Sequence, residues 1–446
     1  MSEFQTGWQQ ICANRRGDIG LMAASGEVAR TFGDVDLEAK GLAERWSGLK
    51  SKAIVAVRIG NSPSWPAAFM ALLRLGYVTL PLPLDAQIPT LTDAVVGPDL
   101  TLRKLVAGVR PDLPQSTVLL KMTSGTTGAA RAIRFTEAQL AADCRQICET
   151  MGISACDLNF AAIPLSHSYG FSNLVTPLLL QGVPMVVTED RLPRAMLAAI
   201  EQTGATVFPG TPVFFQHLAD LSAGTPSRLR LCISAGAPLS TTVWERFWAR
   251  FGLRIHVFYG SSECGGIAYD REGVLRCDGF VGREMSGVAV DVFAQTHRIE
   301  VRSAAVGEGY YPDEDRDILG DGCFVPSDLA RKEPFGLVLA GRASEFINVG
   351  GRKLNPLEVE LRLSSLPGVG QVIVFGVPSA QRGEEPVACV VGEGIDTGRL
   401  LKQFAQAVPA WQVPRDIWVV REVPVNERGK ISRKTLAERY LARAES

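Results

Sequence analysis

The sequence predicts an α/β protein. Its larger part is a set of stacked α/β layers with a small β subdomain, followed by a small α+β domain. Three observations carry that prediction. Short apolar runs alternate with helical stretches through about the first 265 residues, the pattern of parallel strands joined by crossover helices. After about Gly265 the runs are short strands with glycine turns between them. From about Ser344 a third pattern begins, so the domains are drawn at 1–343 and 344–446.

The elements follow in order. "AIVAVRI" (53–59) reads as a strand, "SPSWPAAFMALLRLG" as a helix and "VTLPLP" as the next strand. Thr136 with Gln139 three residues on is a capping box, so a helix starts there. "LNFAAIPL", "VPMVVT", "ATVFP", "LRLCIS" and "RIHVFY" are further strands. "GVLRCDGFVG", "VAVDVFAQTHRIEVRS" and "FGLVLAGR" supply the β subdomain. The C-terminal unit reads as helix "NPLEVELRLSSL", strands "VGQVIVFGV" and "PVACVVG", helix "TGRLLKQFAQAV" and a last helix near "SRKTLAERYLARA".

Composition excludes several classes. The 446 residues are 46% apolar with a net charge of −1, so a large core is available and no global basic field holds nucleic acid. The N-terminus lacks the apolar segment of a signal peptide. "LVTPLLLQGVPMVV" is too short and too broken to span a bilayer, and reads as a buried helix, a turn and a strand. Nine cysteines without a CxxC pair and only four histidines speak against a disulfide framework or a structural zinc. Cys144 and Cys148 are one helical turn apart, but small apolar residues on a helix explain them better than a metal does. A reduced cytoplasmic enzyme is expected.

"KMTSGTTGAAR" (121–131) packs glycines and hydroxyls where no core can form. Set between the strand "STVLLK" and the helix capped at Thr136, such a loop suits phosphate: backbone N–H groups approach the oxygens and hydroxyls add donors. Arg131 adds charge. The loop is not a Walker loop, there is no GxGxxG before a helix, and there is no GxSxG. A solvated turn explains the stretch equally well on its own.

Other stretches break that tie. "FYGSSECGG" sets Glu263 after a strand among hydroxyls, where one carboxylate beside phosphates suits Mg²⁺. Asp328 in "DGCFVPSDLA" stands at a strand end and can accept bonds from a ribose diol. Arg342 in "LAGRASEFINVGGRKLNPLEVE" can meet sugar or phosphate, and Lys430 in "NERGKISRKTL" sits on a glycine turn among cations. Alone, each has a plain structural explanation: a solvated Glu, a turn Asp, a salt-bridge Arg, a basic loop.

Taken in order, "TSGTTGAAR", "PLSHSYG", "YGSSE", "SDLA", "GRASEFINVGGRKLNPLEVE" and "ERGKISRK" resemble the motifs of the adenylate-forming superfamily of acyl-CoA synthetases, adenylation domains and beetle luciferases. The matches run from about Thr31 to Leu436. The resemblance implies a large N-terminal domain and a small mobile C-terminal domain. It also implies a two-step reaction. A carboxylate attacks the α-phosphate of ATP to give acyl-AMP and pyrophosphate. A thiol of CoA or of carrier-protein phosphopantetheine then displaces AMP.

The implied roles follow residue by residue. Thr123, Ser124, Gly125, Thr126, Thr127 and Gly128 cradle the β- and γ-phosphates, with Arg131 beyond them. Tyr259, Gly260, Ser261 and Ser262 belong to the ATP site, Ser262 by the α-phosphate, and Glu263 holds Mg²⁺. Asp328 takes the ribose hydroxyls with Arg342 nearby. Lys430 bridges the acyl carboxylate and the α-phosphate, a contact of a kind worth roughly 3–4 kcal/mol in the transition state. His167, Ser168, Tyr169, Phe171, Ser234, Ala235 and Gly236 wall the acyl pocket, and His167 moves between states. Ser344 is the hinge, where relatives usually carry Asp or Lys. Gly350 and Gly351 let the pantetheine pass, although a tight turn alone explains that pair.

The chain departs from the pattern in places. Ala130-Arg131 replaces the usual Pro-Lys, and Arg keeps the charge. Only about 35 residues separate Asp85 from the phosphate loop, so the N-terminal part is trimmed. No acid lies from Ser166 to Asn173, which weakens an amino-acid substrate. An aryl or aryl-like unsaturated acid is expected, with fatty acids as the other class. The acceptor stays open between CoA and an acyl carrier protein. A luciferase-like oxygenase and a non-catalytic nucleotide or acyl binder are the competing classes.

Overall fold

The computed structural model describes residues 3–106, 108–123, 131–222, 224–364, 366, 369–392, 394–421, 423 and 432–444. The expected phosphate-cradle residues Ser124 to Gly128, and Lys430, lie outside the described residues. The chain forms two compact units. The first comprises Met1–Asp291, Glu300–Pro326 and Glu333–Leu337; the second comprises Val292–Ile299, Ser327–Lys332 and Val338–Ser446. The division therefore falls inside the strand Gly336–Arg342 rather than at 343/344, and two short N-terminal segments belong to the second unit.

The first unit holds two large sheets. In one, Ile19–Ala23, Met185–Val187, Asn159–Ala161, Val207–Gly210, Leu231–Ser234 and Ile255–Ser261 lie side by side and parallel. In the other, Leu119–Met122, Val78–Pro81, Ile54–Val57 and Ala94–Val96 are parallel. Continuous apolar runs suit parallel strands covered on both faces. Ile54–Val57, Val78–Pro81 and Val207–Gly210 are indeed buried at every position. The helices expected between them form as Trp65–Arg74 and Glu137–Met151. The second carries its capping box: Gln139 N–H donates to Thr136 Oγ1 at 3.4 Å, and Thr136 N–H to Gln139 Oε1 at 2.9 Å. "LVTPLLLQGVPMVV" forms the helix Thr176–Gln181, a left-handed Gly182 (φ +65°) and the strand Met185–Val187.

Beyond Gly265 the glycine-punctuated strands do two different things. Gly265–Tyr269 and Phe280–Glu284 extend the first sheet antiparallel, folding back on Ile255–Ser261. Ile299–Ser303 instead belongs to a small separate sheet, with Val301 opposite Phe324.

The second unit is built on the antiparallel pair Val372–Ser379 and Gly383–Val391, to which Asp416–Val420 adds in parallel. Alternation along one strand divides its two faces. Val372 and Val374 face a core with Val359 and Leu363 of the helix Pro356–Ser364 and Leu400 and Phe404 of the helix Thr397–Ala405. Ile373, Phe375 and Val377 face the other way, onto Leu436 and Tyr440 of the final helix Arg433–Ala444. Both faces are covered by helices, so the unit has its own core. No helix among the described residues is long and apolar enough to cross a membrane.

Candidate active site

In the first unit the motifs converge at the C-terminal ends of parallel strands. Leu119–Met122 and Ala132–Phe135 are antiparallel, with Met122 opposite Ala132. The base of the glycine- and hydroxyl-rich loop is clipped shut: Thr123 N–H donates to Arg131 O at 2.8 Å, and Thr123 Oγ1 to the same oxygen at 3.2 Å. The loop thus tops a hairpin and does not run into the helix after Thr136. The strand Ala132–Phe135 intervenes because "AIRF" is largely apolar and buried and pairs on both sides.

That second pairing brings in residues the motifs did not name. Gly309–Tyr311 lies against Ala132–Phe135, with Tyr310 opposite Ile133. Arg131 packs its guanidinium over the Tyr310 ring, 5.4 Å from the centroid, and lies 3.5 Å from the Asp315 carboxylate. The Tyr310 hydroxyl is 3.4 Å from Glu263 Oε1. Burial, and then the Glu263 carboxylate, hold the Tyr310 phenol above its ordinary range, so it stays a neutral donor. Nothing in the local sequence marks Tyr310 or Asp315; only strand pairing places them.

Glu263 is oriented by its own turn. Ser261 Oγ donates to its carboxylate and accepts from its N–H at 3.0 Å. Gly307 N–H donates to Glu263 O at 2.8 Å. Beneath, the buried Asp143 accepts from Gly266 N–H at 3.1 Å. Gly265 is left-handed (φ +70°), and a Cβ there would stand 2.1 Å from Asp143 Oδ1, so only glycine permits this contact. Tyr259 is buried in the strand leading to the turn, opposite Ala268. At Gly260 a Cβ would meet Gly265 O at 2.6 Å, so the tight hairpin needs that glycine too.

The "PLSHSYG" segment reaches the same turn. Ser168 Oγ lies 2.9 Å from Ser262 Oγ. His167 is half-buried and caps the short helix Ser168–Gly170, its Nδ1 accepting from Tyr169 N–H at 3.3 Å. Tyr169 is buried with its hydroxyl on Ile233 O at 3.1 Å, next to Ser234. The chain then makes a wide turn, Phe171–Val175, in which Thr176 N–H donates to Phe171 O. Turns of that width are frequent at functional sites.

Not every expected pocket residue points outward. Phe171 is buried against Trp65 and Phe69, with ring centroids 6.0 and 5.2 Å away. Ser234 is buried, and its hydroxyl has no hydrogen-bond partner among the described residues. Ala235 is buried and Gly236 exposed with φ +88°. The structure also shows a buried lysine that sequence reading passed over. Lys121 Nζ stands 4.6 Å over the Phe135 ring and 3.3 Å from Ser172 Oγ. Its signal was a lone charge inside an apolar strand.

The second unit carries the other candidates. Asp328, buried at the start of Asp328–Glu333, accepts from Arg342 Nε at 2.6 Å. Arg342 ends the neighbouring strand Gly336–Arg342. Ser344 is exposed in the short turn Ala343–Glu345. Gly350 and Gly351, φ +58° and +82°, form the two-residue turn of a hairpin in which Val349 faces Arg352. A Cβ at either would meet nothing within 4 Å, so the turn has open space beside it.

Comparison with known proteins matches most of the chain. The AMP-binding enzyme family model matches residues 98–311, and the model for the C-terminal domain of AMP-binding enzymes matches 358–430. Feruloyl-CoA synthase of an Amycolatopsis species is 26% identical, covering 93% of this chain and 95% of its own. The oxalate–CoA ligase of Arabidopsis thaliana is 27% identical, covering 88% of this chain and 79% of its own. The fold matches ATP-bound MatB from Rhodopseudomonas palustris with a TM-score of 0.85 at 22% identity, over 99% of both chains.

The chain belongs to the AMP-binding, adenylate-forming enzyme family. It is an AMP-forming acid–thiol ligase: it activates a carboxylic acid as acyl-AMP and passes the acyl group to a thiol.

Proposed function

We propose that the acid is an aryl or aryl-like unsaturated carboxylate and the acceptor the thiol of CoA. The observation that carries this reading is the 2.9 Å approach of Ser168 to Ser262, which sets the "HSY" segment beside the turn of Glu263. Tyr169, tied to Ile233 O, gives the pocket a rigid aromatic wall. The similarity to feruloyl-CoA synthase supports the same acid class.

The residues divide the work by chemistry. Attack on the α-phosphate needs donors and a cation where charge builds on the leaving pyrophosphate. The hairpin tip from Thr123 to Arg131 would hold the phosphates. Glu263 offers one carboxylate steadied by hydroxyls from Ser261 and Tyr310, a donor set that fits Mg²⁺ shared with phosphate oxygens. Asp328 would take the ribose diol beside Arg342, and Lys430 the acyl carboxylate and α-phosphate. His167 would border the acyl group, and Ser344 would be the hinge about which the chain beyond it reorients between the two half-reactions.

Pyrophosphate release with ATP and Mg²⁺ across benzoates, cinnamates, fatty acids, dicarboxylates and amino acids tests the reading, first without thiol. Release confined to cinnamates or benzoates supports it, and release with another class replaces the acid. CoA and a holo carrier protein, added in turn, then name the acceptor. Oxygen uptake accompanying acyl-AMP formation would move the chain to the oxygenase class.

A further inference from the structure

Arg433, the first residue of the final helix, has all three guanidinium nitrogens engaged within the second unit. Nε donates to Val374 O at 2.9 Å, Nη2 to Glu360 at 2.7 Å, and Nη1 to Glu345. Glu360 is itself buried on the helix Pro356–Ser364 and also accepts from Val374 N–H at 2.8 Å. One arginine thus fastens the start of the final helix to a strand, to a neighbouring helix and to the turn Ala343–Glu345. Such a fork constrains direction as well as distance, which a lysine would not do.

The third arm connects to a different part of the site. Glu345 follows Ser344, and its other oxygen lies 3.9 Å from Arg342 Nη1. Arg342 in turn holds Asp328. The charges run Asp328, Arg342, Glu345, Arg433, Glu360, and Ser344 falls between Arg342 and Glu345 in sequence. A buried carboxylate without its cation is costly, so Glu360 has no good alternative to Arg433.

We propose that Arg433, held by Glu345 and Glu360, is a positioning residue for the adenylation half-reaction. It fixes the backbone three residues after Lys430 in sequence, a separation of at most about 11 Å along an extended chain. It ties that point to the residue next to Ser344. The inference rests on the role of Lys430 proposed above. Lys430 needs its ammonium at one place in the first half-reaction and has no part in the second. Loosening Arg433 therefore costs the first selectively.

The test uses the full chain with the acid and thiol found by the pyrophosphate screen. ATP–pyrophosphate exchange reads the first half-reaction; conversion of supplied acyl-AMP to thioester reads the second. Arg433→Met is expected to lower exchange about 100-fold, the effect of misplacing a catalytic group by about 1 Å, with acyl-AMP conversion unchanged. Arg433→Lys, which keeps charge but not the fork, falls between. Glu345→Gln, nearly isosteric, gives a smaller loss in the same half-reaction, and it decides the matter by the same criterion if Arg433→Met does not fold. Parallel loss in both half-reactions, or no loss in exchange, overturns the proposal. Lys430→Ala is run alongside. If it separates the two half-reactions and Arg433→Met does not, only the positioning role is lost. If Lys430→Ala itself shows no separation, the reading of Lys430 and this inference fall together.

Discussion

Arg342 Nε donates to Asp328 Oδ1 at 2.6 Å, and the two residues stand at the end and the start of neighbouring strands. Each was singled out from a separate motif, fourteen positions apart. The pairing has a consequence for nucleotide binding. A bond from a guanidinium fixes the direction of the carboxylate, so a ribose diol would meet it already oriented. Asp328→Asn keeps the shape and replaces one acceptor by a donor. Hydrogen bonds to charged groups are worth about 1.5–3 kcal/mol, so KM for ATP should rise about tenfold to a hundredfold. KM for the acid should hardly move. Steady-state kinetics with each substrate varied in turn measures both, and an equal rise in both constants would count against a ribose role.

Glu263 makes a second prediction. Its carboxylate receives Ser261 and faces Tyr310, so Glu263→Gln should preserve the turn while removing the charge. The Mg²⁺ concentration for half-maximal pyrophosphate release is expected to rise at least about tenfold, the loss typical even of groups that only orient a metal ligand. Tyr310→Phe removes only a neutral donor and should shift the same midpoint less. Magnesium titrations of the two variants check the order. Equal midpoints for wild type and Glu263→Gln would remove Glu263 from the metal site.

Stability should depend on pH through Asp157 and Arg230. The fork is complete: Nε to Oδ1 at 2.8 Å and Nη2 to Oδ2 at 2.7 Å. Burial alone would raise the Asp157 pKa, but Arg230, Ser154 N–H and the Thr206 hydroxyl outweigh it and hold it below the ordinary 3.8. A carboxyl depressed in the folded state contributes stability above its unfolded value and loses it as pH falls through its folded value. Asp157→Asn should therefore cost about 1.5–3 kcal/mol at neutral pH. The gap in unfolding temperature between wild type and variant should close once pH drops well below 3.8. A gap that persists unchanged to the lowest pH at which both fold would assign the effect to packing instead.

What could be read from the sequence was what local rules control. The box at Thr136 and the apolar run around Ile54 each carry their signal within a few residues, and both formed. "VGQVIVFGV" reads as a strand and forms one, while its division between two cores, Val374 on one side and Phe375 on the other, comes only from the helices packed on each face. Contacts made by distant strands left no local mark. Tyr310 reaches Glu263 only because Gly309–Tyr311 pairs with the strand after the phosphate loop. That strand was itself passed over because "AIRF" is short and lies next to a strong helix start. Phe171 looked like pocket lining because it follows a motif, yet its ring completes an aromatic cluster with Trp65 and Phe69. Arg433 looked like one more cation in a basic tail, and its three partners come from places 59 to 88 positions away.

Gly350 and Gly351 separate a structural demand from a functional one. Both have positive φ, so the hairpin turn between Val349 and Arg352 asks for glycine whatever else happens there. Alanine at Gly351 would strain the backbone by about 1–2 kcal/mol. It would not clash, because nothing lies within 4 Å of the added carbon. If the turn served the fold alone, Gly351→Ala would lower the unfolding temperature slightly and leave both half-reactions alike. If the open side of the turn is where the pantetheine passes, the added methyl obstructs only the thiol. Pyrophosphate release without thiol should then stay near wild type, while thioester formation from supplied acyl-AMP falls at least about tenfold, equivalent to about 1.4 kcal/mol in the barrier. Asp or Asn at the same position tolerates the left-handed conformation better than Ala yet is bulkier. Gly351→Asn should therefore be more stable than Gly351→Ala and slower with thiol, an inversion that backbone strain alone cannot produce.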